Sequence, residues 1–230
     1  MLKNKVLIKI WWSLIAPKNR ENYLDKIYLK EISDFIRKNI LDVFLIHWAG
    51  NIWHNFLKKL IVETGFSLKD VLKLYAKKIK YHIQYWYSII DSYFFDLNRV
   101  YIKKVLTGEI KSFSWKITWW DIDWDNFSII SGDDVFSYLA SLKNKFNLKL
   151  ILTDVDWVLD TQGNVIRKID KNNIKNIKFW SVNNDLTWGM RWKVMKLLWK
   201  WPIYILNGYN FKNLELFFKE PDKAIFTQIC

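Results

Sequence analysis

Segments with the apolar pattern of buried strands alternate along this chain with segments that have the pattern of amphipathic helices. Strands are predicted at VLIKI (6–10), DVFLIH (42–47), LKLILT (148–153), IYILN (203–207) and near AIFTQI (224–229). Apolar spacing predicts helices at 23–38, at 54–107 with breaks near Gly65 and Lys80, from Ser131, around Val194 and from about Phe211. Short strands and turns are expected over 108–130, and a hairpin across Gly163. This order predicts one α/β domain, 1–230, with an open, mainly parallel sheet sandwiched between helices and ligand sites at the carboxyl ends of its strands.

Tryptophan stands at several places where these strands end and loops begin. Trp11 and Trp12 follow the first strand, and Trp48 and Trp53 bracket the loop after the second. Loops of this kind favour glycine, whereas tryptophan prefers strands and packed surfaces. The chain has 15 Trp but only 7 Gly, although glycine usually makes up about 7% of residues. One interpretation is a genuinely Trp-rich protein, and the other is a gene whose UGA codons mean glycine; the positions favour the second.

The positive charge of the chain is scattered. A formal net charge of +13 suits a nucleic-acid or membrane-surface partner, but the lysines are interspersed with acids and form no compact basic block. We therefore expect no nucleic-acid partner. A basic, Trp-rich binder of nucleic acid or membrane surfaces, without catalysis, is the alternative from another functional class.

The location of the protein is predicted from its cysteine content and its apolar runs. The sole cysteine is Cys230, so no internal disulfide framework is expected and a reducing cytoplasm is the default. Lys9 interrupts the first apolar run, which argues against a signal peptide. No uninterrupted run reaches the roughly 18 apolar residues of a membrane span. We expect a soluble, cytoplasmic protein with no membrane insertion.

Five segments become recognisable when glycine replaces their tryptophans. They then read KIGGSLI, HGAGNIGH, GGDIDGDN, TDVDGVLD and NNDLTGGMRGK. In that form, and less strongly as written, the chain from Val6 to about Leu214 resembles the amino acid kinase superfamily, and within it the isopentenyl phosphate kinases and their fosfomycin-kinase relatives. The resemblance implies the αβα fold of that superfamily, with residues 1–130 mainly binding the acceptor phosphate and residues 131–230 mainly binding ATP. Ala49 and Phe226 also stand where the family commonly has glycine.

The tryptophans as written conflict with the function that the resemblance implies. An indole at a phosphate-cradling loop would fill the phosphate site and would disfavour backbone with positive φ. We therefore expect the literal Trp-containing chain to be inactive.

The resemblance also implies residues for ATP binding and catalysis. Lys9 would contact the ATP phosphates, Lys18 would stabilise the transition state, and Asp154 would lie near both lysines. Judged without the resemblance, Lys18 is more typical of a solvated loop charge and Lys9 of a strand edge. The implied ATP-binding residues are Lys9, Trp11, Trp12, Ser13, Gly50, Thr153, Asp154, Asp156, Thr187, Trp188, Gly189 and Lys193.

The acceptor side is implied by a histidine and by a helix start. His54 stands where the isopentenyl and fosfomycin kinases place a histidine that can donate a hydrogen bond to the acceptor's terminal phosphate or phosphonate. The segment SGDD opens a helix, whose N–H groups are suited to an anion. The implied acceptor-binding residues are Trp48, Ala49, His54, Ser131, Gly132 and Asp133. His47 is predicted to be structural, and no protein-held metal site is expected from 3 His and 1 Cys.

Together these residues predict an enzyme. The resemblance implies transfer of a phosphoryl group from ATP, with Mg²⁺, to isopentenyl phosphate, giving isopentenyl diphosphate for isoprenoid synthesis, and it allows a homodimer. Aromatic helices between 80 and 97 are consistent with an apolar wall for the prenyl chain. The alternative within enzymes is a kinase of another small phosphate or phosphonate, such as UMP or fosfomycin.

Overall fold

The computed structural model describes residues 2–17, 20–47, 50–94, 132–142, 145–155, 158–177, 194–195, 197–198 and 202–230. Its strands are β1 (Leu2–Ile10), β2 (Ile40–His47), β3 (Leu148–Thr153), β4 (Lys168–Ile169), β5 (Ile203–Asn207) and β6 (Thr227–Ile229). Its α-helices are α1 (Trp12–Ile15), α2 (Lys26–Asn39), α3 (Gly50–Thr64), α4 (Leu68–Leu74), α5 (Ala76–Phe94), α6 (Gly132–Ser141) and α7 (Phe211–Lys219), and a 3₁₀ turn covers Pro221–Lys223. No helix in these ranges is long and apolar enough to cross a membrane.

The strands form one sheet in the order β2-β1-β3-β5-β6-β4. β1 is parallel to both β2 and β3, β3 is parallel to β5, and β6 runs antiparallel to β5. The prediction of a mainly parallel sheet is therefore confirmed. Ile10 is in register with both His47 and Leu152, so β1, β2 and β3 end together. We call this end of the sheet, where β5 also ends, the carboxyl edge.

Helices cover both faces of the sheet, as predicted. Alternate residues of β1 point to opposite faces, because side chains in a strand alternate with a period of two. Val6, Ile8 and Ile10 pack in a core that includes buried residues of α1, α2, α5 and α7. Leu7 packs instead in a second core with Phe136 of α6. Each fully buried aliphatic side chain of these cores contributes about 1.5–3 kcal/mol to folding.

The predicted break near Gly65 is confirmed, and the break predicted around Lys80 is wrong. Gly65 ends α3 with φ +69°, a conformation that glycine adopts without strain. Lys80 lies inside α5, and the interruption comes at Tyr75. At this corner Val71 and Ile79 are both buried with residues of α3, so tertiary packing rather than a helix-breaking residue sets the break.

Other predicted elements are confirmed where the structure describes them. The hairpin across Gly163 exists, since Leu159 and Val165 pair in an antiparallel bridge and Gly163 has φ +84°. Its turn is held by Asp160, whose carboxylate accepts hydrogen bonds from the backbone N–H groups of Gln162 and Asn164 at 2.8 and 2.9 Å. The helical residues predicted beyond 94 and the strands and turns predicted over 108–130 lie outside the described residues, as does Met190.

Gly208 allows α1 to pack against the end of β5. A Cβ atom there would lie 2.5 Å from Leu14 Cδ1 and 2.7 Å from the Tyr28 hydroxyl oxygen, and both side chains are buried. The same glycine donates its N–H to the Thr153 carbonyl oxygen at 2.8 Å, which ties β5 to the end of β3. The position therefore has no room for a larger residue.

We expect Gly208→Ala to lower the free energy of unfolding by about 1–3 kcal/mol, because the added methyl group overpacks this contact. Urea denaturation measures the loss. Leu14→Ala removes the nearer clashing atom, so the same glycine substitution should cost less in that background than in the wild type. Additive losses in the double variant would contradict the close packing of position 208 with Leu14.

Candidate active site

The carboxyl edge brings together several of the residues that the sequence predicts for the site. Lys9 lies at the end of β1, and Trp11, Trp12 and Ser13 follow it directly into α1. The N–H of Trp11 donates to the Leu152 carbonyl oxygen at 2.9 Å, which joins this loop to the end of β3. α1 contacts α3, and α6 contacts β1 and β2, so the helices that begin at Gly50 and Gly132 belong to the same neighbourhood.

Lys9 is a buried lysine, with 3% of the residue exposed. It shares the sheet face of Leu7, which α6 covers. Burying an ammonium group is costly unless the charge is paired, and here Lys9 Nζ donates a hydrogen bond to the carboxylate of Asp133. The side chain of Asp133 is 30% exposed, so solvent reaches the pair from the Asp133 side.

Asp133 stands at this place because α6 begins there. The carboxylate belongs to the first turn of a ten-residue helix, where the helix dipole favours negative charge. Its charge compensates Lys9, whereas direct contact between this carboxylate and an anionic acceptor would be repulsive. The lysine for which the family resemblance implies phosphate binding is therefore paired with a carboxylate in this structure.

The ring of Trp11 occupies the space next to this ion pair. Lys9 Nζ lies 5.9 Å from the ring centroid, and the indole packs against the core on the α6 side. The backbone of Trp11 has φ −68° and ψ 144°, and Asn22 is the sole non-glycine residue with positive φ in the described ranges. The expectation that glycine is needed for positive φ is therefore wrong at Trp11 and Trp12. A bound phosphate would conflict with the space that the indole occupies, not with the backbone conformation.

The end of β3 supplies a rigid turn with an acid. Thr153 is fully buried, and its hydroxyl donates to the Val155 carbonyl oxygen at 2.7 Å. That hydroxyl therefore fixes the turn, while Asp154 beside it is exposed. Burial is the main cause that raises the pKa of Tyr209, and the charges of Asp25 and then Asp154 add to it. Asp154 thus lies close enough to the loop after β5 to raise the pKa of Tyr209.

The acceptor side is partly described. Gly50 begins α3, a 15-residue helix, and His54 falls within its second turn. N–H groups in the first turn of such a helix lack intrahelical partners and suit an anion. The predicted site residues that lie outside the described residues are Lys18, Trp48, Ala49, Ser131, Asp156, Thr187, Trp188, Gly189 and Lys193, and the side chain of His54 does so as well.

The sequence analysis did not predict two features at this edge. Asp91 of α5 contacts His47 at the end of β2, and Gly208 closes the contact between α1 and β5. The dipeptide Asn207-Gly208 after an apolar strand was a usable signal for the second. No spacing rule points to Asp91, because its partner lies on another element. Within the described residues no group of three or more His, Cys, Asp or Glu is placed to hold a metal ion.

Comparison with known proteins identifies the fold. No model of a known protein family matches the sequence. Over 96 residues the chain is 41% identical to the isopentenyl phosphate kinase of Methanocaldococcus jannaschii, a match that spans 40% of this chain and 36% of that protein. The matched part is therefore little more than a third of the relative's length.

Solved structures match along nearly the whole chain. A crystal structure of an isopentenyl phosphate kinase substrate complex superposes with a TM-score of 0.62 at 16% identity, covering 99% of this chain and 100% of the other. The product complex of the T. acidophilum isopentenyl phosphate kinase gives 0.61 at 17% identity, covering 98% and 100%. The predicted amino acid kinase-like fold is confirmed, as is the predicted resemblance to isopentenyl phosphate kinases.

We expect Asp133→Asn to lower the free energy of unfolding by about 1–3 kcal/mol, since the buried Lys9 ammonium would lose the negative charge of Asp133. Urea denaturation at low ionic strength measures this loss. In a Lys9→Met background the same substitution should cost almost nothing. As a matched control, Glu215→Gln breaks an exposed pair with Lys219 and should change stability by less than about 0.5 kcal/mol. An equal loss with and without Lys9 would contradict the pairing.

Proposed function

We propose that this chain, which has the fold of the isopentenyl phosphate kinases, transfers the γ-phosphoryl group of Mg-ATP to isopentenyl phosphate and forms isopentenyl diphosphate. The observation that carries the proposal is the buried Lys9 at the carboxyl edge, with its charge compensated by Asp133 in the first turn of α6. The partial match to the M. jannaschii enzyme supports the choice of acceptor.

Phosphoryl transfer between two phosphorylated molecules requires their charges to be neutralised and their reacting atoms aligned. Lys9 offers a cation that is desolvated and fixed by a strand, which makes its interaction with a phosphate oxygen stronger than that of a solvated lysine. While no polyanion is bound, Asp133 compensates this charge. When phosphates arrive, the ammonium can exchange its carboxylate partner for a phosphate oxygen.

The remaining roles follow the family resemblance and are part of the proposal. Lys18 stabilises the transition state, His54 donates a hydrogen bond to the acceptor phosphate, and Asp154 orders the lysines. Residues 131–230 mainly bind ATP, through Thr153 to Asp156 at the end of β3 and the segment from Thr187 to Lys193. Mg²⁺ enters with the nucleotide and spreads the charge of its phosphates.

The acceptor's hydrocarbon chain has a suitable aromatic wall between α3 and α5. Phe56 and His82 stack with ring centroids 3.9 Å apart and planes 10° apart, and Trp86 meets His82 edge-on at 6.3 Å. Burial lowers the pKa of His82, so this imidazole is neutral at pH 7 and offers an aromatic surface without charge. Such a wall suits a short prenyl group better than a nucleoside, which carries many polar groups.

We expect the enzyme with glycine at the loop tryptophans to phosphorylate isopentenyl phosphate in preference to fosfomycin and UMP. Lys9→Ala should lower kcat/KM by about 10²–10³-fold, because a fixed donor to the transferred phosphoryl group is lost. His54→Ala should raise the KM for the acceptor at least about tenfold while the KM for ATP changes little. A coupled assay of ADP release measures all three acceptors.

A matched control is Lys219→Ala, which removes an exposed lysine on α7 and should leave kcat/KM within about twofold of the wild type. Turnover of UMP alone would overturn the choice of acceptor. Turnover of fosfomycin alone would favour the phosphonate kinases among the resembled relatives.

The proposal includes glycine at the loop tryptophans in the authentic cellular protein. The Trp11 indole stands beside Lys9 Nζ, where a phosphate would have to lie, and glycine would leave that volume open without changing the local fold. Trp12 begins α1 in the same loop. Bare backbone at both positions would let N–H groups approach phosphate oxygens.

We expect peptide mass spectrometry of the protein from its own cells to show glycine at positions 11, 12, 48, 53, 157 and 188. The Trp-containing chain, made with the standard genetic code, should bind no ATP in isothermal titration because its indoles occupy the phosphate volume. Tryptophan at these positions in the authentic protein would refute the recoding, and with it the proposed nucleotide site.

A further inference from the structure

A side-chain hydrogen bond joins β2 to α5 on the sheet face opposite Lys9. His47 Nε2 lies 2.8 Å from Asp91 Oδ1, and the two residues are 44 positions apart in the sequence. A carboxylate can only accept, so Nε2 carries the proton and donates it in this bond. The pair is therefore a directional link between the last residue of β2 and the last turns of α5.

The imidazole of His47 is held on more than one side. Its side chain is 8% exposed, and the ring of Phe94, itself 1% exposed, lies 5.7 Å away between ring centroids. A hydrogen bond in such a place is worth more than one in water, since little water competes for its groups. Asp91 is 35% exposed, so this pair too reaches solvent on its acidic side.

The same end of α5 has a second polar anchor. Arg37 of α2 donates from Nη2 to the Tyr93 carbonyl oxygen at 2.8 Å. Helices begin and end with unsatisfied backbone groups, so this bond caps the end of α5 while Asp91 fixes its rotation toward β2. The wall residues His82 and Trp86 lie farther along α5, and their position depends on where this anchored end is held.

His47 also stands at the start of the segment that leads to His54. It is the last residue of β2 and is in register with Ile10, one residue before Trp11. Its contact with Asp91 therefore fixes two parts of the proposed acceptor site relative to each other: the end of β2 and the aromatic wall on α5. Lys9 and Asp133 lie on the other sheet face, beside α6.

We infer that His47 and Asp91 are positioning residues that hold the aromatic wall of α5 at the correct distance from the acceptor-phosphate end of β2. The inference rests on the proposed function, which supplies the acceptor. It assigns to this pair an effect on acceptor binding that is separate from ATP binding, because the pair lies on the sheet face opposite Lys9.

Steady-state kinetics of Asp91→Ala and Asp91→Asn test the inference, with isopentenyl phosphate and ATP varied separately. The variants are made in the enzyme with glycine at the loop tryptophans, which is the wild type of these experiments. We expect Asp91→Ala to raise the KM for isopentenyl phosphate about tenfold, with kcat and the KM for ATP within about twofold of the wild type. Asp91→Asn keeps an oxygen that accepts from Nε2 and should restore most of the acceptor KM. Glu215→Ala, which breaks an exposed acidic pair on α7, should change none of these values.

His47→Asn is the second variant, because its amide N–H can still donate toward Asp91, and it should keep a lower acceptor KM than His47→Ala. An acceptor KM for Asp91→Ala within about twofold of the wild type would overturn the inference. So would equal losses in both KM values and kcat, which would indicate general damage to the fold.

Hydrogen exchange separates this inference from the proposed function. Amide protection in α5 should fall in Asp91→Ala and stay unchanged in Glu215→Ala. If the wild type turns over no isopentenyl phosphate, the proposed function fails, and unchanged α5 protection in Asp91→Ala would then overturn the anchoring as well. If the wild type turns over isopentenyl phosphate but Asp91→Ala leaves the KM for this acceptor unchanged, only the positioning role is refuted.

Discussion

A buried ammonium group at the end of a central strand is the constraint on which this structure depends. Lys9 cannot reach the interior of an α/β sheet without a counter-charge, and Asp133 provides it from the first turn of α6. The parallel order of β2, β1 and β3 places the ends of all three strands beside that helix start. Sheet topology, the helix dipole and charge compensation therefore act at the same edge, and at that edge we propose that ATP and the acceptor phosphate bind.

The two faces of the sheet have different roles in the proposed function. Lys9 and Asp133 lie on the face covered by α6, whereas His47, Asp91 and the aromatic wall lie on the face covered by α5. A hydrogen bond between a basic side chain and a carboxylate ties a strand end to a helix at each face, and in both pairs the acid is the more exposed partner. A site of this form can hold the charged reacting groups rigidly on one side while its apolar wall varies on the other.

The side chain of Trp11, rather than its backbone conformation, conflicts with the phosphate site that we propose. Trp11 has extended backbone angles that glycine and tryptophan adopt equally well, so the fold accepts either residue. Its ring nevertheless lies within 5.9 Å of the Lys9 ammonium. The chain as written therefore has the fold of the isopentenyl phosphate kinases, with an indole in the volume where we propose that a phosphate binds. In the proposed enzyme the identity of this residue, rather than the fold, would decide whether phosphate binds.

The sequence by itself determined five of the six described strands, most helices and the residue types at the strand ends, because apolar periodicity and turn residues act within a few positions of the chain. It did not predict the two-residue strand β4. Gly65 ended a helix through its own φ angle, as the sequence predicted. Only the tertiary structure decided the break at Tyr75, the antiparallel β6 and the pairing of Lys9 with Asp133 across 124 positions. The tertiary structure likewise decided the hydrogen bond between His47 and Asp91. These contacts depend on which elements the sheet order makes neighbours, and no local pattern records that order.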